Sequence, residues 1–345
     1  MRNNAFKNRH NNCFFAIKLS MKKVINYLSD IAVMTGCCLG VGFVSGKEAQ
    51  VYFGNALNVI VFAVIFTLIT TVFREYCRRK QCNTMEKLSH SLFKKGGTVF
   101  DTLISLCCFV CIVTALAGAE QCFDQTLHIA PIPLYGLACA VIAGITLKNG
   151  DKALKIANAV SIALAIILVV ILLCRKNFDT VISTKISPLK PVVYALFSAT
   201  MSFGVTVKLG YESDFKRNLI CPAAAAVILA LFMTAIINVS DFSLNLPAID
   251  NIQDTPTKVF ALVTLAFAAV TGIVACAYPI VEQIYPVMPD SDLCCVSIFG
   301  LALAFSMFGF DFAVKAGYVL VGVIGLVTVV SSAVQLALKT PKKAL

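Results

Sequence analysis

The sequence contains no tryptophan, only three histidines, and few charges. Lys, Arg, Asp and Glu make up 14% of its 345 residues, against about 25% in an average soluble protein. A soluble domain must cover its surface with polar groups, and this chain has too few. The scarcity of charge excludes an ordinary soluble fold and points to a chain solvated largely by lipid. Without tryptophan, any interfacial belt rests on Tyr and Phe. The histidines, His10, His90 and His128, fall outside the centres of apolar segments. No H-E-x-x-H, G-x-S-x-G or clustered carboxylate–histidine set occurs, so the chain reads as no enzyme. No filter-like repeat or ring of charges suggests a channel. No basic stretch interleaves with aromatics, so the formal net charge of +11 does not imply nucleic acid. A cleavable signal peptide is also missing from the reading: residues 1–20 are polar and Asn-rich, and Met21-Lys22-Lys23 reads as a natural start.

What the chain has is apolar length. Its residues are 59% hydrophobic and its mean hydropathy is +0.85. A bilayer core needs about 20 mostly apolar residues per helix. Candidate segments are 27–53, 57–73, 98–120, 133–147, 156–174, 192–210, 218–238, 257–284, 293–310 and 316–338. The expected fold is an all-α polytopic membrane bundle of about ten helices. With the N-terminus inside, 22 of the 29 Lys and Arg fall in inside segments. The positive-inside rule then gives cytoplasmic N- and C-termini. Arg175–Lys176 lies on the minority side. The expected organisation is a polar basic tail at 1–23, one transmembrane domain at 24–338 and a basic tail at 339–345, in a bacterial cytoplasmic membrane. Fifteen cysteines, mostly within apolar runs, show no zinc spacing. They read as small buried hydrophobes in a reducing setting, with no metal and no cofactor.

Residues 24–174 and 192–338 are halves of nearly equal length with five segments each. An odd number per half inverts the second against the first, the pattern of an inverted repeat. The first segment of each half is interrupted. Segment 27–53 carries Gly36, Gly40, Gly42 and Gly46 with Ser45, and segment 192–210 carries Ser198, Thr200, Ser202 and Gly204. Glycine costs about 1 kcal/mol relative to alanine inside a helix, so helices broken near mid-membrane are expected. Bare backbone at that depth is tolerated only around a protein-lined or watery cavity. The other reading of Gly36/Gly40 and Gly42/Gly46 is close helix packing through GxxxG. Glu48 also has two readings. Ser45-Gly-Lys-Glu48 fits the capping box, and a carboxylate at membrane depth is a candidate proton carrier or amine partner. Lys47 neutralises it or snorkels outward. Glu120 is a second candidate carboxylate, at the end of segment 98–120. Lys208/Glu212 and Asp311/Lys315 are spaced as i,i+4 pairs, Glu282 follows Pro279 near a helix end, and Asn158 caps its helix or bonds a neighbour.

GVGFVSGKEAQVYFG (residues 40–54), TALAGAEQCFDQ (114–125) and NGDKALKIANAVS (149–161) resemble segments of the YkvI-type bacterial membrane proteins, with Lys47 and Val44 in place of Gln and Ala. That family is similar to transporters of the LeuT-type, amino acid–polyamine–organocation fold. The resemblance implies a sodium site built from carbonyls of Gly36 and Leu39 with Ala268 and Thr271 of an A-x-x-T-S pattern. Here Gly272 stands in place of the serine, and Phe43 in place of an asparagine that serves a second site.

The reading is thus a secondary transporter of a small organic solute, amino acid or amine-like. Gly40, Gly42, Phe43, Ser45 and Gly46 would face Ser198, Thr200, Ser202 and Gly204 across the site. The coupling ion would be sodium at Gly36, Leu39, Ala268 and Thr271, or a proton carried by Glu48 or Glu120. The partners are the lipid bilayer and the solute, with the oligomeric state open. The alternative is a receptor or regulatory subunit that keeps the pocket but does not cycle.

Overall fold

The computed structural model describes residues 21, 23–127, 134–175, 187, 189–250, 252–308 and 317–338. Asp311, Lys315, His10, His128, residues 1–20 and the tail 339–345 lie outside them. Among the described residues every regular element is helical. In chain order these are α1 (23–38), α2 (Val41–Val44), a π-helical turn (Ala49–Phe53), α3 (Ala56–Lys80), α4 (Met85–Phe93), α5 (Gly97–Leu127), α6 (Leu134–Lys148), α7 (Gly150–Arg175), α8 (Leu189–Met201), α9 (Phe203–Tyr211), α10 (Phe215–Val239), α11 (Thr255–Ile284), α12 (Ser291–Ser306) and α13 (Tyr318–Leu338).

Six of them, α3, α5, α7, α10, α11 and α13, are long and apolar enough to cross a membrane, and α8 with α9 forms a bent pair. The helix α3 shows how the sequence builds such a span. The Asn55 side chain accepts from Asn58 N at 2.9 Å and caps its start. Arg78, Arg79 and Lys80 fill its last turn, where the helix dipole favours cations. One face carries Phe62, Phe66 and Phe73, which are buried, and the other Leu57, Ile60, Val64 and Leu68, which are exposed. In water such a face would be an aggregation surface; in lipid it is the correct solvent contact. α11 is the most enclosed span, 72% buried over its central window, and packs on α5, α7 and α6.

Two features depart from the sequence reading. The basic stretch after α3 is not only a loop: it folds into α4, capped by the Thr84 hydroxyl. Arg74, which follows the apolar run 57–73 and is one of the 22 Lys and Arg assigned to inside segments, is fully buried.

Candidate functional site: a cavity between two broken helices

The stretch 39–54 is bent into short pieces. Leu39 and Gly40 leave the helix, α2 lasts four residues, and Ser45-Gly46 turns before the chain rewinds. Gly46 has φ +82°, and a Cβ there would lie 2.7 Å from Ser240 Oγ and 3.0 Å from Ala248 N. Only glycine meets both demands cheaply. In the second half, α8 and α9 meet at Ser202 with a bend of 67°, and the Ser202 hydroxyl turns back to Ala199 O at 2.9 Å.

The two breaks face a cavity of ≈ 20 Å³, lined by Cys38, Gly40, Val41, Gly42 and Glu48 from the first and by Tyr194, Phe197 and Met201 from the second. Cys111, Thr114 and Ala115 of α5 and Tyr318 of α13 close it. One water needs about 10–15 Å³ on this measure, so the narrow cavity holds little more than that.

Glu48 is buried in this wall. Its Oε1 accepts from Tyr318 Oη at 2.7 Å and its Oε2 from Tyr194 Oη. Of the two readings of Glu48, the capping box is not seen: Ser45 Oγ donates to Gly42 O at 3.3 Å, and the carboxylate is turned to the phenols. Gly42 makes the room for it, since a Cβ there would lie 2.6 Å from Glu48 Oε1. Around the carboxylate the rings of Tyr52, Tyr194, Phe197 and Tyr318 form one cluster, with Phe197 stacked on Tyr318 at 3.5 Å.

Not every candidate lines this cavity. Gly40, Gly42 and Glu48 do; Phe43, Ser45 and Gly46 pack beside it. The Thr200 hydroxyl bonds Leu196 O at 2.7 Å and sits where a Cβ on Gly325 of α13 would fall. A Cβ on Gly204 would strike Pro279 of α11 at 2.5 Å. Ser198, though buried, is likewise not a lining residue. Glu120 lies apart and accepts from Gly136 N at 2.6 Å. Its other oxygen is buried without a hydrogen-bond partner among the described residues. Tyr194 and Tyr318 were missed. Tyr194 lies one helical turn before Ser198, so the face was visible in the sequence; Tyr318 comes near only in three dimensions.

The other candidate group is compact. Thr271 Oγ1 lies 3.1 Å from Gly36 O and 3.1 Å from Ala268 O, joining α1 to α11. Leu39 is buried just beyond, and Gly272 brings no hydroxyl. Asn158 of α7 lies against Gly36, where a Cβ would fall 2.0 Å from its Oδ1. Among the described residues no three His, Cys, Asp or Glu come together as a metal cluster.

Two polar clusters beyond the lining residues hold the broken helices to their neighbours. On one side the segment after α10 folds over the first break: Ala248 N donates to Ser45 O at 3.0 Å, and Gln50 Nε2 to Phe242 O at 2.8 Å. Lys47 Nζ reaches Asn245 O at 3.3 Å. On the other side Arg74 binds Asp30 Oδ2 at 2.7 Å, Ser213 Oγ at 2.8 Å and Asn218 Oδ1 at 2.9 Å. Arg217 holds the second Asp30 oxygen at 2.5 Å. This cluster ties α1 to α3 and to the junction of α9 with α10. The i,i+4 pairing of Lys208 with Glu212 gives way to an ion pair with Asp151 of α7. Glu282 accepts from Met85 N at 3.3 Å, at the start of α4.

No family model and no curated protein matches the sequence. Solved structures match over nearly the whole chain. MhsT in complex with L-phenylalanine is 18% identical with TM-score 0.61, covering 87% of each chain. Mhp1, a nucleobase-cation-symport-1 family transporter closed on bromovinylhydantoin, is 13% identical with TM-score 0.58, covering 88% of this chain and 77% of its own. A mutant manganese transporter of Eremococcus coleocola is 11% identical with TM-score 0.51, covering 94% and 90%. At these identities the likeness speaks for the fold, and the fold is that of the LeuT-type transporters.

Proposed function

We propose that the chain is a secondary transporter of a small organic solute, amino acid or amine-like, working by alternating access in a bacterial plasma membrane. The observation that carries this reading is the narrow cavity between two broken helices, with a buried carboxylate in its wall. A ten-helix arrangement in two inverted halves, 24–174 and 192–338, accounts for the matching breaks. In the proposed orientation both termini are cytoplasmic, so the Asp30–Arg74 cluster faces inward and the 240–250 segment outward. The resemblance to YkvI-type proteins agrees with this reading.

For coupling, the carbonyls of Gly36 and Ala268 and the Thr271 hydroxyl form a candidate sodium group. Gly272 leaves that group one hydroxyl short, and a proton on Glu48 is the other coupling route. The purified protein is expected to melt higher in sodium than in potassium, and Thr271→Val is expected to erase the difference. No difference in the wild type would remove sodium from the mechanism.

The decisive test of transport is counterflow in proteoliposomes loaded with a candidate solute. Exchange that Gly42→Val abolishes in a folded protein supports the site. Saturable binding without any exchange would favour the receptor or regulatory reading.

A further inference from the structure

We infer that the central cavity selects a small organic cation, an ammonium without a carboxylate, and rejects zwitterions. This inference rests on the proposed transport site and narrows its substrate class.

The charge of the lining carries the argument. Glu48 is the one acidic or basic side chain among the described residues that line the cavity. Its neighbours there are a hydroxyl, thiols, aliphatic groups and rings. Lys47, next in sequence, points to Asn245 O in the outer segment. The described groups bonded to the Glu48 carboxylate are two phenols. A phenol donates a hydrogen bond without neutralising the charge. A buried carboxylate held in this way is completed by a proton or by a cation, and the cavity is where that cation can stand.

The rings argue for an organic cation. Tyr194, Phe197 and Tyr318 line the cavity beside the carboxylate, and aromatic rings attract ammonium groups through their quadrupoles. A zwitterionic amino acid would meet the opposite of what it needs. Its ammonium would suit Glu48, but its carboxylate would find no basic side chain among the described lining residues and would stand close to Glu48. Like-charge juxtaposition is a strong means of rejection. The narrow volume of ≈ 20 Å³ favours the smallest members of the class.

Methylammonium, glycine and acetate are the probes, with the purified full-length protein in detergent and thermal stability as the binding readout. Methylammonium is expected to stabilise the wild type saturably, glycine at least about tenfold more weakly, and acetate not at all. Glu48→Gln is expected to weaken methylammonium about 30-fold or more, as for loss of one partner of a buried ion pair, and Glu48→Asp to recover part of it. If Glu48→Gln does not fold, the wild-type selectivity alone decides. Glycine binding as tightly as methylammonium, no response to methylammonium, or a folded Glu48→Gln that binds it unchanged would each overturn the inference. Counterflow of radiolabelled methylammonium separates this inference from the transport reading. Binding without counterflow sinks transport and leaves the cation selectivity standing. Counterflow of glycine that methylammonium fails to inhibit sinks the selectivity and leaves transport standing.

Discussion

Gly40 and Gly42 are two residues apart and face different surroundings. A Cβ at Gly40 would meet nothing within 4 Å, whereas at Gly42 it would run into the Glu48 side chain. Gly42→Ala is therefore expected to displace the carboxylate and abolish solute uptake, while Gly40→Ala keeps most of it. Uptake in proteoliposomes by the two variants side by side checks this. Arg74 gives the corresponding stability test. It is fully buried and spends its donors on Asp30, Ser213, Asn218 and Met34. Removing one partner of a buried ion pair strands the other and costs about 3–5 kcal/mol. Arg74→Ala should lower the melting temperature of the purified protein sharply; a change within error would mean the cluster is not closed in solution. At this scale the sequence was only partly informative. Glycine density located the first break, but Glu48 stayed open between helix cap and functional carboxylate because S-x-x-E is a local pattern, and its phenolic partners lie 146 and 270 residues away. Arg74 fell among the inside charges because it begins a basic run, and its burial depends on Asp30, the acid inside the first apolar segment.

Helical elements were more legible. Apolar runs at 57–73, 98–120, 156–174, 218–238 and 257–284 each fall inside one helix, because a lipid-spanning helix announces itself by length and composition alone. The runs 27–53 and 192–210 are each divided, as their glycines and hydroxyls suggested. What composition could not give was α4, a short helix within a basic connection, or the way the segment after α10 returns over the first break. Two left-handed glycines separate conformation from contact in these connections. Gly46 (φ +82°) is crowded by Ser240 and Ala248, whereas Gly150 (φ +68°) has open space around it. Asparagine tolerates this backbone region better than other residues. Gly150→Asn should therefore be nearly neutral, and Gly46→Asn should cost about 1–3 kcal/mol and loosen the segment after α10. Thermal melting, with hydrogen exchange over residues 240–250, would read both effects.

The whole molecule presents exposed apolar helix faces around a charged cluster at Asp30 and Arg74 and a polar segment at 240–250. The proposed orientation rests on charge bias, with Lys and Arg concentrated in alternate connections, and is open to direct test. A cysteine at Lys87 in α4 should react with an impermeant thiol reagent only from the cytoplasmic side, and one at Ser243 only from the outside. Reversed labelling would invert the proposed direction of every step. In contrast to the scaffold, the chemical identity of the solute was not legible in the pattern of spans, because it depends on which side chains converge on the cavity.

Asp30 stands between two guanidiniums, one oxygen on each. In the proposed transport cycle, swinging α1 away from α3 and α10 would withdraw the carboxylate that Arg74 and Arg217 share, leaving the two guanidiniums less well compensated. The inward-open state would then be self-repelling until water or a mobile anion enters. Reclosure, which brings the carboxylate back between them, would be electrostatically downhill. On the proposed transport reading the inner door would thus be sprung: it would resist opening and favour closing, so the time spent open to the cytoplasm would be brief and would lengthen when small anions are abundant.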